Sequence, residues 1–192
     1  MRRAFLLVVA LPLLAACGGQ RQGADEPSGT FRVEVVHASF PKRQHIAQKV
    51  KLRVRVRNAG ARAVPVAVTV ATTPRGRDSA LAFGQNVRGQ DLASPGRPIW
   101  VLDEGPAGGD TAYVNTWSAG TLRGGESRLL TWSLVAAQAG RYTISYSVSP
   151  GLTGKARAAR GRTSGRLAVT IDDQPVPARV GPGGTVIRSP SR

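Results

Sequence analysis

Cysteine and histidine are scarce in this sequence of 192 residues. Its one cysteine, Cys17, cannot form a disulfide within the chain, so the fold has to be held by its core. The two histidines, His37 and His45, stand on either side of Pro41, and no C-x-x-C, H-E-x-x-H or calcium-loop pattern is present. The sequence therefore predicts no metal site, no cofactor and no catalysis. An enzyme would require His37 or His45 to meet a carboxylate in a pocket.

Long hydrophobic runs are also missing. No stretch approaches the roughly 20 apolar residues that a membrane-spanning helix needs, so the sequence predicts no such helix. The apolar run at residues 4–16 follows Met1-Arg2-Arg3, which is the arrangement of an export signal. It ends in Leu14-Ala15-Ala16-Cys17, which resembles the lipobox of bacterial lipoproteins. The resemblance implies that residues 1–16 are removed and that a diacylglycerol lipid on Cys17 anchors the protein to the extracytoplasmic face of a cell membrane. The alternative is an ordinary signal peptide with an incidental thiol.

The chain after Cys17 divides into a tether, a β domain and a tail. Residues 17–30 contain almost nothing apolar, which predicts a flexible tether. From Phe31 onward, apolar and polar residues alternate in short segments bounded by Gly, Pro or Asn, the pattern of half-buried strands, and no amphipathic helical stripe is present. We therefore predict an all-β, immunoglobulin-like antiparallel sandwich over residues 31–172 and an extended tail over residues 173–192. The predicted inward-facing sets are Val50, Leu52, Val54 and Val56; Val64, Val66, Val68 and Val70; Leu130, Trp132 and Leu134; Tyr142, Ile144, Tyr146 and Val148; and Leu167, Val169 and Ile171.

Two stretches resemble the CARDB group of bacterial immunoglobulin-like domains, a cell-adhesion-related module of secreted and envelope proteins. The matching motifs are a strand end, Val56-Arg57-Asn58-Ala59-Gly60, a turn, Leu122-Arg123-Gly124-Gly125-Glu126-Ser127, and a strand opening, Ala139-Gly140-Arg141-Tyr142-Thr143-Ile144. The resemblance implies a β-sandwich scaffold and carries no active site.

A long insertion, about residues 72–120, separates the two stretches. Within it, residues 97–102 and 113–117 predict two further strands. Its aromatic residues Trp100, Tyr113 and Trp117 have two interpretations: they line a binding groove, or they fill the core of the sandwich.

Basic residues outnumber acidic ones, 27 to 11, which gives a formal net charge of +16. Five of them alternate with the apolar set of one predicted strand and share its other face, about 6.6 to 7 Å apart: Lys49, Lys51, Arg53, Arg55 and Arg57. This row suits an anionic polymer. The competing interpretation is that the charges only solvate the strand and block edge-to-edge aggregation. A second basic stretch, Lys155 to Arg162, predicts a mobile loop.

Together these features predict a non-catalytic, lipid-anchored envelope protein that binds an anionic cell-wall polymer or a partner protein. The alternative is an accessory subunit that scaffolds an envelope enzyme or transporter, with an exposed apolar patch around Trp100 and Trp117. Nucleic acid is not an expected partner, because a lipid-tethered extracytoplasmic domain rarely meets it.

Overall fold

The computed structural model describes residues 26–74, 83–85 and 98–188. The predicted lipobox, Cys17 and most of the predicted tether lie outside these residues. The described strands are β1 (Gly29–Phe31), β2 (Val33–Ser39), β3 (Arg43–Ile46), β4 (Lys49–Asn58), β5 (Val64–Pro74), β6 (Gly84–Gln85), β7 (Trp100–Ala107), β8 (Asp110–Tyr113), β9 (Thr116–Leu122), β10 (Ser127–Ala136), β11 (Gly140–Pro150), β12 (Ala156–Ala158), β13 (Ser164–Pro175), β14 (Ala178–Val180) and β15 (Val186–Arg188).

Two mostly antiparallel sheets form a sandwich, which confirms the predicted fold class. One sheet has the order β2-β4-β10-β7-β6, and the other has the order β3-β13-β11-β5-β9-β8. Pairing is parallel only where β3 meets β13, β6 meets β7 and β1 meets β12 among the described strands. Within the described residues, no helix has the length and apolarity needed to cross a membrane.

The core lies between the sheets and contains the apolar sets that alternation predicted. In β4 every second residue is buried, because successive side chains of a strand point to opposite faces. The four valines of β5 are at most 1% exposed, and Leu130, Trp132 and Leu134 of β10 are fully buried. On β11 and β13 the inward sets are also buried or packed against this core.

The sandwich has two ends, which we call the entry end and the far end. The entry end holds the first described residues, β1, β12 and the connections at residues 59–63 and 151–163. The far end holds the connections at residues 47–48 and 137–139. Strand β4 runs from the far end, at Lys49, to the entry end, at Asn58, where Val33 begins its pairing.

Several predicted boundaries were wrong. Glu26 is buried and strand β1 begins at Gly29, so the end of the predicted tether belongs to the domain. Residues 155–162, predicted as a mobile loop, contain β12, which pairs with β1. The predicted extended tail contains an antiparallel pair, β14 with β15, joined through a 3₁₀ turn at Pro182–Gly184.

The insertion also differs in detail from the prediction. Its predicted strand at residues 113–117 is interrupted by a hairpin turn at residues 114–115, between the end of β8 at Tyr113 and the start of β9 at Thr116, and Asn115 adopts a φ of 60° in this turn. Asparagine tolerates this left-handed conformation better than most residues. The other predicted strand begins later, at Trp100, and continues to Ala107 as β7.

Candidate functional site

The outer face of the five-stranded sheet carries the predicted basic row on β4. Lys49, Lys51, Arg53, Arg55 and Arg57 all lie on the exposed side of the strand, opposite the buried set. Strand β4 is paired on both sides, with β2 and with β10, so it is an interior strand. The part of the competing interpretation in which these charges protect a sheet edge is therefore wrong, because β4 has no free edge. The part in which they solvate the outer face of the strand is not contradicted by this pairing.

Hydroxyl side chains flank the basic row. Across β10, Ser127 lies opposite Arg57, Thr131 opposite Arg53 and Ser133 opposite Lys51. Directly opposed residues of neighbouring strands have Cβ atoms about 4.5–5.5 Å apart, so each of these cations has a hydroxyl donor beside it. Guanidinium, ammonium and hydroxyl groups all donate hydrogen bonds to anionic oxygen atoms.

The other flank of the row is β2. A bulge after Val35 leaves Val36 outside the regular pairing and places His37 opposite Arg55. His37 is exposed, so its imidazole belongs to the same solvent-facing surface. This neighbourhood was not predicted, because the bulge that sets the register leaves no clear pattern in the sequence.

Acidic residues form ion pairs with the basic residues at the two ends of the row. Lys49 Nζ donates to Asp103 Oδ2 at 2.9 Å, and Arg57 Nη1 lies 4.0 Å from Glu34 Oε1. Within the described part of the chain, Lys51, Arg53 and Arg55 have no ion-pair partner. These three residues form the centre of the candidate anion-binding surface, which we call the β4 face.

The predicted aromatic groove does not form, and the core interpretation of the tryptophans is correct. Trp100 and Trp117 are 0% and 3% exposed, whereas Tyr113 is 49% exposed at the end of β8, opposite Thr116. Trp100 packs edge-on against Phe40, with ring centroids 5.5 Å apart, and Trp117 packs in the same way against Trp132 at 5.3 Å. Trp100 and Trp117 are therefore not themselves part of an exposed apolar patch.

Buried polar contacts also distinguish the tryptophans. Trp100 Nε1 donates to Gln44 Oε1 at 2.7 Å, and Gln44 Nε2 donates to the carbonyl of Pro41 at 2.9 Å. In the described residues, the Nε1 atoms of Trp117 and Trp132 have no hydrogen-bond acceptor. Gln44 is fully buried and holds β3 against the start of β7.

The two histidines are not brought together. His37 is on β2, and His45 is on β3, where its Nδ1 lies 3.1 Å from the carbonyl of Gln174 and 3.9 Å from Asp172 Oδ2. The His45 and Asp172 side chains are 27% and 49% exposed, so this contact is on the surface and not in a pocket. Among the described residues, no group of three or more His, Cys, Asp or Glu side chains is placed to hold a metal ion.

Comparisons with known proteins give structural likenesses only. No family model and no curated protein matches the chain. A crystal structure of a CARDB domain from Pyrococcus furiosus, in complex with two metal ions, matches with a TM-score of 0.44 and 15% identity over 75% of this chain and 94% of that one. Part of α2-macroglobulin from Escherichia coli matches with a TM-score of 0.46 and 13% identity, over 78% of this chain and 18% of that one. These values assign no ligand, site or activity to this chain.

Proposed function

We propose that this protein is a non-catalytic, lipid-anchored envelope protein that binds an anionic cell-wall polymer through the β4 face. The observation that supports this most directly is the centre of the face, Lys51, Arg53 and Arg55, which has no ion-pair partner among the described residues. It lies on an interior strand, with hydroxyls of β10 opposite Lys51 and Arg53. The lipid anchor rests on the Leu14-Ala15-Ala16-Cys17 motif.

The geometry favours a linear ligand over a compact one. Cations that alternate along an extended strand lie about 6.6 to 7 Å apart in a straight row. A chain of regularly spaced phosphates can contact several of them at once, whereas a single small anion contacts one or two. Because the contacts are electrostatic, the affinity should depend on charge spacing and salt more than on the chemistry of the polymer backbone.

The test is binding of the full chain to poly(glycerol phosphate), with dextran as the uncharged control polymer. The test variant combines three substitutions on the β4 face, Lys51→Gln, Arg53→Gln and Arg55→Gln. The matched control removes the same charge from exposed positions at the far end, Lys42→Gln, Arg43→Gln and Arg141→Gln, and we call it the far-end variant.

We expect the β4-face variant to lose polymer binding and the far-end variant to keep it. Wild-type affinity should fall roughly 20- to 130-fold between 50 and 200 mM salt, as for three to five neutralised phosphates at a slope of about 0.7 per phosphate of a single-stranded polyanion. Equal losses in both variants would mean that only net charge matters. Unchanged binding in the β4-face variant would refute the proposed site.

A further inference from the structure

A second basic surface lies at the entry end of the sandwich. It carries six exposed basic residues, Arg32, Arg62, Lys155, Arg157, Arg160 and Arg162. The sequence contains no acidic residue between Gly154 and Ile171, so the segment through β12 contributes positive charge only. This surface is separate from the centre of the β4 face, which lies along the side of the sandwich.

Backbone pairing and packing hold this surface in place. Thr30 of β1 lies opposite Arg157 of β12, and the amide of Val35 donates to the carbonyl of Arg162 at 2.7 Å. The guanidinium of Arg62 lies 4.7 Å from the ring centroid of Phe31, a buried core residue. The basic residues are therefore presented from a fixed frame, and a large surface can meet several of them together.

The acidic residues of the entry end are engaged in local contacts. Glu26 accepts hydrogen bonds from the amides of Leu152 and Thr153 and from the Thr153 hydroxyl. Glu126 binds the amide of Arg123 at 2.9 Å and the guanidinium of Arg128 at 3.1 Å. The entry end therefore keeps a strong positive excess. At the far end, by contrast, acidic side chains lie beside basic ones: Asp172 lies near His45, and Asp103 contacts Lys49.

The first described residue, Glu26, lies at the entry end, and its distance along the chain from Cys17 indicates which partner this basic surface meets. Glu26 is nine residues after Cys17, and nine residues span at most about 30 Å when fully extended and about 15 to 18 Å on average. If Cys17 carries the proposed lipid, the entry end cannot move far from the bilayer. The most basic end of the domain is thus the end held closest to lipid headgroups.

We propose that the entry end binds the anionic phospholipid headgroups of the membrane and so fixes the orientation of the domain. This inference rests on the proposed lipid anchor but not on the proposed ligand of the β4 face. The inference also fixes the direction of β4 relative to the membrane, since β4 starts at the far end and finishes at the entry end. The basic row would then point away from the membrane, with Arg57 nearest the lipid and Lys49 farthest from it.

The test measures partition of the full chain onto vesicles, with Cys17→Ser in every sample so that no attached lipid contributes. Vesicles of phosphatidylcholine with 30% phosphatidylglycerol are compared with vesicles of pure phosphatidylcholine. The ratio of the two partition coefficients isolates the electrostatic contribution to membrane binding. The entry-end variant is Arg157→Gln, Arg160→Gln and Arg162→Gln, and the far-end variant is the matched control. Thermal unfolding checks that each variant folds.

We expect the ratio to fall about 100-fold in the entry-end variant, since each basic residue near an anionic bilayer contributes roughly a fivefold gain. The far-end variant should lose less than tenfold. Equal losses in the two variants, or a ratio that the entry-end variant leaves unchanged, would overturn the inference. Poly(glycerol phosphate) binding, measured on the same samples, separates the two proposals, because the entry-end variant should retain it whether or not the lipid proposal holds.

Discussion

Asn58 provides the sharpest test of how the scaffold is held together. Its side chain is fully buried at the end of β4. The Nδ2 group donates to the carbonyl of Leu122 at 2.9 Å and to that of Arg62 at 2.7 Å, while Oδ1 accepts from the amide of Gly60 at 2.9 Å. Asn58 therefore joins β4, the connection that follows it and the end of β9, which belongs to the opposite sheet.

The cost of replacing Asn58 follows from the groups left without partners. In Asn58→Ala the carbonyl of Leu122, a fully buried residue, loses its donor, and a buried unsatisfied group costs about 1 to 3 kcal/mol. The Arg62 and Gly60 groups lie in a more exposed connection, where water can replace part of the loss. We therefore expect Asn58→Ala to lower the free energy of unfolding by about 2 to 4 kcal/mol.

Asn58→Asp separates the hydrogen bonds from the volume of the side chain. It keeps the shape and the acceptor for Gly60, but places a second carboxylate oxygen against two carbonyl oxygens. We expect it to be less stable than Asn58→Ala at pH 7. Its stability should rise as the pH falls, because the protonated carboxyl donates to one carbonyl and the folded state then binds more protons than the unfolded state.

The assay is urea unfolding of the full chain at pH 7 and pH 5, with Thr121→Ala as the control. Thr121 is exposed beside Leu122, and a surface substitution there should change stability by less than about 0.5 kcal/mol. The reasoning would be refuted by an Asn58→Ala variant as stable as the control, or by an Asn58→Asp variant whose stability increases with pH.

Two further predictions concern buried polar contacts. Trp100→Phe should cost about 1 to 3 kcal/mol more than Trp132→Phe, because only the first leaves Gln44 without its indole donor, and the two unfolding free energies compared under identical conditions measure the difference. Burial opposes ionisation of Glu26, but hydrogen bonds from the amides of Leu152 and Thr153 and from the Thr153 hydroxyl, together with nearby Lys155, lower the pKa of Glu26 below the usual 4.5. The ionised Glu26 therefore stabilises the fold above about pH 4.5, and this stabilisation is lost as the pH falls. Glu26→Gln should therefore flatten the decline of stability between about pH 6 and pH 3, and parallel curves for the two proteins would contradict this.

The alternation of side chains made the strands of the two sheets predictable. Each predicted inward set combines branched or aromatic residues at every second position, and a register slip of one residue would expose all of them. The same alternation located the basic residues of β4 on the solvent side. Sequence alone therefore identified both the core and the candidate site of the five-stranded sheet.

Long-range contacts were not predictable in the same way. Strand β1 has three residues, too few to show a period, and it is secured by Glu26, whose partner Leu152 lies 126 residues away. Glu26 sits in a polar stretch that has the composition of a tether. The pairing of β14 with β15 was missed for a similar reason, since Val180, Val186 and Ile187 remain largely exposed and give no buried pattern.

The interior position of β4 bears on why its cations are there. Two unit charges about 6.8 Å apart in water repel by about 0.6 kcal/mol before salt screening, so a row of them opposes folding. Asp103 and Glu34 relieve the ends of the row, but not its centre at Arg53. Protection of a sheet edge cannot offset this repulsion, because β4 is paired on both sides. A bound polyanion can offset this repulsion. The β4-face variant should therefore lose polymer binding but unfold at the same temperature as wild type or at a higher one. A clear loss of stability would mean that the cations stabilise the fold itself.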